Sequence, residues 1–341
     1  MQKVKLETKH RMIKKLLFAL LILISFHGFS QNISLSNQAK VSILTCGTGP
    51  ESYAMYGHTG IRIQDVSQQI DVVYNYGAFD FDTPNFIGRF VKGDLQYFVT
   101  NGSYIDFYYN YQAENREIIE QDLALSPAQI NQLFQQLNAS VYSDDRFYTY
   151  KFIDRNCTTM VVDKINNTLG SEYIKSQNSN QSYREILYPY MSDFYMKLGI
   201  QLIFGAKVDE PATRLFLPYE FKKAISNTKV NGTTIEQSNK TILEERKTDI
   251  PFNWLNSIYS LIGILFLLVI LGKKWLKISY LIFAGLLGVF FSLVGLYSLH
   301  EEILWNYNIL LFNPLLLVFA WHYWKGNRIK IILFGQICLG F

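Results

Sequence analysis

Tyr56-Gly57-His58-Thr59-Gly60-Ile61-Arg62-Ile63 has the composition of a β-strand that opens on a histidine set between glycines. Threonine and isoleucine suit a pleated, half-buried surface, and the glycines leave room for a substrate to approach the imidazole. Short β-rich runs lie on either side: Val41-Ser42-Ile43-Leu44 before it, then Val72-Val73-Tyr74-Asn75-Tyr76 and Leu95-Gln96-Tyr97-Phe98-Val99 after it. Asn101-Gly102 has the chemistry of a hairpin turn, which predicts another strand over residues 104–109. Residues 85–91 fit a short intervening helix. A clear helix starts at Ser126, with Pro127 in its first position and Gln129 completing a capping box. Ile130, Leu133, Phe134, Leu137 and Val141 continue it at helical spacing. Residues 147–153 return to strand, and a second helix begins near Asn156 with Val161, Ile165 and Leu169 on one face. Helical patches at 191–204 and 218–226 precede a polar stretch, 227–247, that suits a hairpin or linker. The fold class is α+β, an antiparallel sheet with helices against it.

Outward from this domain the composition changes. Apolar residues make up 49% of the chain and charged residues 18%, too few charges for an average soluble protein. With 5 Trp, 23 Tyr and 25 Phe, intrinsic disorder is excluded, and 3 Cys exclude a disulfide scaffold. Residues 1–30 carry six Lys/Arg against one Glu, and residues 253–341 carry six against two, whereas the middle carries twenty against twenty-five. An acidic middle argues against phosphate-backbone binding, so nucleic acid is not an expected partner.

Residues 1–30 have the features of a secretory signal peptide. Lys3 through Lys15 give a basic start, residues 16–26 form an apolar run too short to span a bilayer, and Gly28 and Ser30 suit cleavage before Gln31. Residues 31–250 are then exported, and 251–341 form an α-helical transmembrane domain with three to four helices. Its apolar stretches are 252–271, 278–299 and 303–323, and a shorter fourth run, 331–341, covers roughly half a bilayer at 1.5 Å per residue. Lys273, Lys274 and Lys277 follow the first stretch, and Lys325, Arg328 and Lys330 follow the third. The loop between holds Glu301 and Glu302 and no base, so the positive-inside rule puts it on the exported side.

If the signal is removed, His58 is the one histidine of the exported domain. Cys157 follows Asn156, a good helix cap, and so sits in the first turn of a helix, where unpaired N–H groups favour a thiolate and can receive an oxyanion. The bland alternatives are a satisfied strand-end histidine and a buried cysteine, or a disulfide from Cys157 to Cys46. No glycine-flanked serine elbow offers a serine nucleophile. Two cysteines and one histidine are not at ligand spacing, so no metal is expected. A strand histidine about a hundred residues before a helix-start cysteine fits a permuted papain-like arrangement.

Gly57-His58-Thr59, Val73-Tyr74-Asn75-Tyr76-Gly77-Ala78-Phe79-Asp80-Phe81 and Asn156-Cys157-Thr158-Thr159 together resemble the Lnb-type N-terminal periplasmic domain. The proteins carrying it are inner-membrane lipoprotein N-acyltransferases of bacteria, similar to NlpC-type and lecithin:retinol acyltransferase-like thiol enzymes. The resemblance implies a multi-pass inner-membrane protein with a periplasmic catalytic domain and no cofactor. It implies a thiol transacylase that moves an acyl chain from a membrane phospholipid to the α-amine of a lipoprotein's diacylglyceryl-cysteine. Cys157 is the implied nucleophile and His58 the base. Asn75 or Asp71 can orient the imidazole, with Asn75 favoured, and Tyr56 can assist the oxyanion. His300, Glu301, Asn306 and Asn308 gather at the outer membrane surface and are candidates for binding a phospholipid headgroup or the lipoprotein amine. Two other readings compete: a membrane-tethered periplasmic cysteine peptidase or amidase acting on cell-wall peptide, and a non-enzymatic sensor or scaffold.

Overall fold

Thr59, Ile61 and Ile63 alternate with Gly60 and Arg62, and both sets are buried, so the strand they form is covered on two faces. A computed structural model describes residues 34–177, 180–191, 193–246 and 251–339; the expected signal peptide lies outside them. The compact unit Ser36–Phe341 begins with β1 (Lys40–Cys46), β2 (His58–Asp65) and β3 (Ile70–Ala78), then α1 (Phe86–Lys92), β4 (Gln96–Ser103), α2 (Tyr104–Ala113) and β5 (Ile118–Leu123). Next come α3 (Pro127–Tyr142), β6 (Phe147–Thr149), α4 (Cys157–Leu169), α5 (Tyr183–Leu187), α6 (Phe194–Ile203) and α7 (Pro218–Asn227). A small hairpin, β7 (Lys229–Val230) with β8 (Thr233–Thr234), leads to β9 (Glu236–Leu243). The apolar C-terminal part holds α8 (Ile258–Leu271), α9 (Lys274–Tyr297), α10 (Leu316–Lys325) and α11 (Arg328–Leu339).

The main sheet is antiparallel and seven-stranded, in the order β6-β4-β3-β2-β1-β5-β9. On one face α4 packs against β2, β3 and α3. On the other, α2 lays the Tyr104 ring 3.4 Å from the Arg62 guanidinium. That buried arginine is held by Asp71 of the adjacent β3 at 2.7 Å and by Glu120 of β5, beyond β1, at 2.9 Å, so its charge is paired from both sides of its strand.

Two expectations need correction and a third is resolved. Asn101-Gly102 is not a hairpin turn: both residues lie inside β4, opposite Tyr74 and Val73. Residues 104–109 are helix rather than strand, because Ser103 caps α2 by accepting the Asp106 N–H at 3.1 Å, and Asp106 suits the positive helix start. Of the two readings for 227–247, the hairpin is found as β7–β8, and the linker gives way to β9, which extends the sheet beyond β5.

The membrane part also differs from its apolar profile. Among the described residues, α9 alone is long and apolar enough to cross a membrane, with mean hydropathy 2.1. The first stretch yields a 14-residue helix, and the third, 303–323, is helical only from Leu316. Before that come short helical turns at Glu301–Ile303 and Tyr307–Ile309. Asn306 diverts the chain there by accepting the Asn308 N–H at 2.9 Å, and Pro314 supplies no N–H to continue a helix.

This irregular loop is docked on the α+β domain. Ser298 Oγ donates to Val91 O at 2.9 Å and the Leu299 N–H to Lys92 O at 2.6 Å. The N–H groups of Gly205 and Ala206 donate to Glu302 O (2.7 Å) and Leu304 O (3.0 Å). Gly205 is required, because a Cβ there would stand 1.7 Å from Leu304 O.

Candidate active site

Asn156 builds the site's helix. Its Oδ1 accepts the Thr158 and Thr159 N–H groups, each at 2.9 Å, and its own N–H donates to Thr159 Oγ1 at 2.8 Å. Its Nδ2 donates to Phe152 O at 2.7 Å and Phe216 O at 2.9 Å, so the carboxamide is fully used and buried. The cap changes one expectation: Thr158 and Thr159 N–H are committed to Asn156 and are not free for an oxyanion. The cap does not take the Cys157 N–H.

His58 opens β2 and Asn75 lies on β3, where Gly60 pairs with Asn75 in register. Asn75 Oδ1 lies 3.0 Å from His58 Nε2. A carboxamide oxygen only accepts, so Nε2 carries the proton and Nδ1 is left for the thiol. The imidazole and Cys157 are hydrogen-bonded, and the Thr59 N–H also points at the sulfur. Thr59 Oγ1 and Thr158 Oγ1, 3.0 Å apart and buried, tie β2 to α4 directly behind the pair. Gly77, with φ +91°, leaves its Cα face open beside Cys157: a Cβ there would lie 3.6 Å from Cys157 Cβ and 3.8 Å from the Tyr150 ring.

Burial alone would raise the Cys157 thiol, yet the His58 hydrogen bond and charge, with help from the Thr59 N–H and Thr158, hold its pKa below the ordinary value. Burial alone would lower His58, but the bonds to Cys157 and Asn75 hold it above its ordinary value. Both shifts favour a thiolate–imidazolium pair. Cys46 behaves oppositely. It is free, packs with Leu44, Val73, Phe107 and Ile118, and burial pushes its thiol up to about 12. Cys157 is free as well, so the two thiols are not joined.

Asp71, the alternative partner for His58, is occupied by Arg62. Tyr56 packs its ring against Phe152 (5.3 Å) and Tyr190 (6.1 Å), and its hydroxyl donates to Met191 Sδ at 3.9 Å. The four loop candidates are each bonded within the dock. His300 Nε2 donates to Phe90 O at 2.8 Å. Glu301 accepts from Lys207 Nζ at 2.6 Å. Asn306 Nδ2 donates to Leu202 O at 2.7 Å and Ile203 O at 3.0 Å, and Asn308 Nδ2 to Leu202 O at 2.9 Å. Sequence reading assigned the glycines beside His58 to substrate clearance and missed Thr59 and Gly77 as parts of the site, although both stand in the motifs.

Asn75 yields a direct test of the imidazole's support, since its Oδ1 lies 3.0 Å from His58 Nε2. Asn75→Ala removes that acceptor and is expected to slow alkylation of Cys157 at neutral pH about threefold to tenfold. An unchanged rate would show that Asn75 does not tune the pair.

The fold and the site define a class: an α+β domain with a cysteine, a histidine and an asparagine brought together at one end of its sheet, joined to a membrane-type segment. Residues 26–188 match the family model described as the Lnb N-terminal periplasmic domain. The matched region includes His58, Asn75 and Cys157, and with α9 it is consistent with a membrane-anchored periplasmic protein. No curated protein and no solved structure matches the chain.

Proposed function

We propose that this protein is a lipoprotein N-acyltransferase working through an acyl-thioester on Cys157. The carrying observation is the Cys157–His58–Asn75 line, a polarised thiol at a helix start with its imidazole oriented by a carboxamide. The order of histidine strand before cysteine helix supports the permuted papain-like reading. The hydrogen bonds between the domain and the end of α9 support a site held close to the membrane, where a lipid donor and a lipid-anchored acceptor are both concentrated.

In the first half-reaction the Cys157 thiolate attacks the carbonyl carbon of a phospholipid ester. The oxyanion is met by the Cys157 N–H. The C–O bond breaks and His58 gives its Nδ1 proton to the departing alkoxide, releasing lysophospholipid. In the second, the α-amine of a diacylglyceryl-cysteine attacks the thioester and passes a proton to His58. The C–S bond breaks, returning the thiolate–imidazolium pair and leaving an amide. No metal or cofactor takes part in this scheme.

The test uses the purified full chain in phospholipid vesicles with a synthetic diacylglyceryl lipopeptide. Lysophospholipid and N-acylated peptide are expected in equal amounts. Cleavage of the peptide backbone instead would favour the peptidase reading, and no turnover with an alkylatable Cys157 would overturn acyl transfer.

A further inference from the structure

An exposed apolar segment of the exported domain lies beside its site. α1 buries none of its side chains, and Ile87, Phe90 and Val91 on it are 76%, 50% and 44% exposed, with Phe81 just before it at 65%. A cluster of this kind on a domain surface marks a contact with an apolar phase. What covers it follows from its attachment. The C-terminal end of α1 is hydrogen-bonded to the end of α9, through Ser298 Oγ to Val91 O and Leu299 N–H to Lys92 O, and His300 Nε2 donates to Phe90 O. α9 is the helix with the length and hydropathy to cross a bilayer. A helix tied to its outer end lies where the chain leaves the hydrocarbon.

From this segment an unbroken series of rings leads inward. Phe90 stacks on Phe86 with centroids 6.4 Å apart, Phe86 meets Phe79 at 5.9 Å and Phe81 at 5.1 Å, and Phe79 meets Tyr97 at 5.4 Å. Tyr97 stacks on Tyr150 at 4.4 Å, and the Tyr150 ring flanks the open face of Gly77 beside Cys157. Burial deepens from exposed Phe81 and Phe90 through half-buried Phe86 and Phe79 to buried Tyr97, and the series ends on half-buried Tyr150 beside the thiol.

We infer that α1 and the segment before it rest in the outer leaflet, and that the aromatic series guides one acyl chain of a phospholipid from the leaflet to Cys157. The rings present an apolar surface of defined direction, whereas the carboxyl ester of the chain would stop where the series meets the thiol. This deepens the acyl-donor reading above and rests on it for the reaction at Cys157. The lipid contact itself does not depend on that reaction.

Two measurements on the full chain in phosphatidylethanolamine–phosphatidylglycerol vesicles test the inference. A phosphatidylethanolamine with a photoreactive group on one acyl chain is expected to label residues 79–97. In the variant Ile87→Asp/Phe90→Asp, whose altered side chains are exposed and so compatible with folding, acylation of Cys157 by vesicle phospholipid is expected to fall at least about tenfold. Alkylation of Cys157 by iodoacetamide in water should change less than about twofold, showing that the thiol pair is intact. Label confined to other parts of the chain, or an unchanged acylation rate in the double variant, would overturn the lipid path while leaving the acyl-transfer chemistry standing. Label on 79–97 without any acyl group on Cys157 would support the lipid path and overturn the reaction proposed for the thiol.

Discussion

Cys157→Ala is expected to abolish acyl transfer, and His58→Ala to reduce it by about a thousandfold, while both proteins remain folded in the membrane. The two side chains act as one unit: the thiolate exists because the imidazolium stands beside it, and the imidazolium because Asn75 and the thiolate hold it. The double variant should therefore be no worse than Cys157→Ala alone. The pH dependence follows from the same signs. The pair is complete between the lowered thiol pKa and the raised imidazole pKa, so turnover should fall on the acid side as the thiolate is protonated and on the alkaline side as His58 loses its proton. In His58→Ala the alkylation profile of Cys157 should move to higher pH, because burial, which raises the thiol, is then opposed only by the Thr59 N–H and Thr158. Turnover that persists in Cys157→Ala would remove the covalent route.

Asn156→Ala should cost the most stability of any single change near the site. It removes the helix cap, worth about 1–2 kcal/mol, and strands the buried carbonyls of Phe152 and Phe216 at about 1 kcal/mol each. A total of about 3 kcal/mol corresponds to a fall in melting temperature of roughly 6–12 °C for a domain of this size. Asn156→Asp keeps the acceptor for Thr158 and Thr159 but loses both donations, so thermal melting in detergent should place it between wild type and Asn156→Ala. Equal melting temperatures would mean that the cap network is not what holds α4 in place.

Much of the site was legible because it rests on local chemistry. A residue at the strand's first position, a cap followed by Cys-Thr-Thr and a polar Asn75 amid apolar neighbours are all visible in the sequence, and the register of β2 against β3 brings the first and last of them together. What could not be read depends on distant partners. Whether Asp71 or Asn75 serves His58 is decided by Arg62, whose guanidinium takes Asp71 together with Glu120 from a strand that is not its neighbour in sequence. Residues 104–109 have strand-like aromatics, but those rings cover the sheet from a helix, and only the Ser103 cap signals it. His300, Glu301, Asn306 and Asn308 look like a ligand set at the membrane surface because hydropathy gives depth and not partners. Their bonds to Phe90, Lys207, Leu202 and Ile203 are contacts across 94 to 210 residues of chain that no periodicity reports.

The most direct measurement is intact-protein mass spectrometry of the full chain after incubation in phospholipid vesicles with no acceptor. An increase of one acyl chain on Cys157, labile to hydroxylamine, with one lysophospholipid released per protein, is the expected result. A Cys157 that stays unmodified in protein able to N-acylate an added lipopeptide, or an active protein in which Cys157 is joined quantitatively to Cys46, would contradict the thioester mechanism.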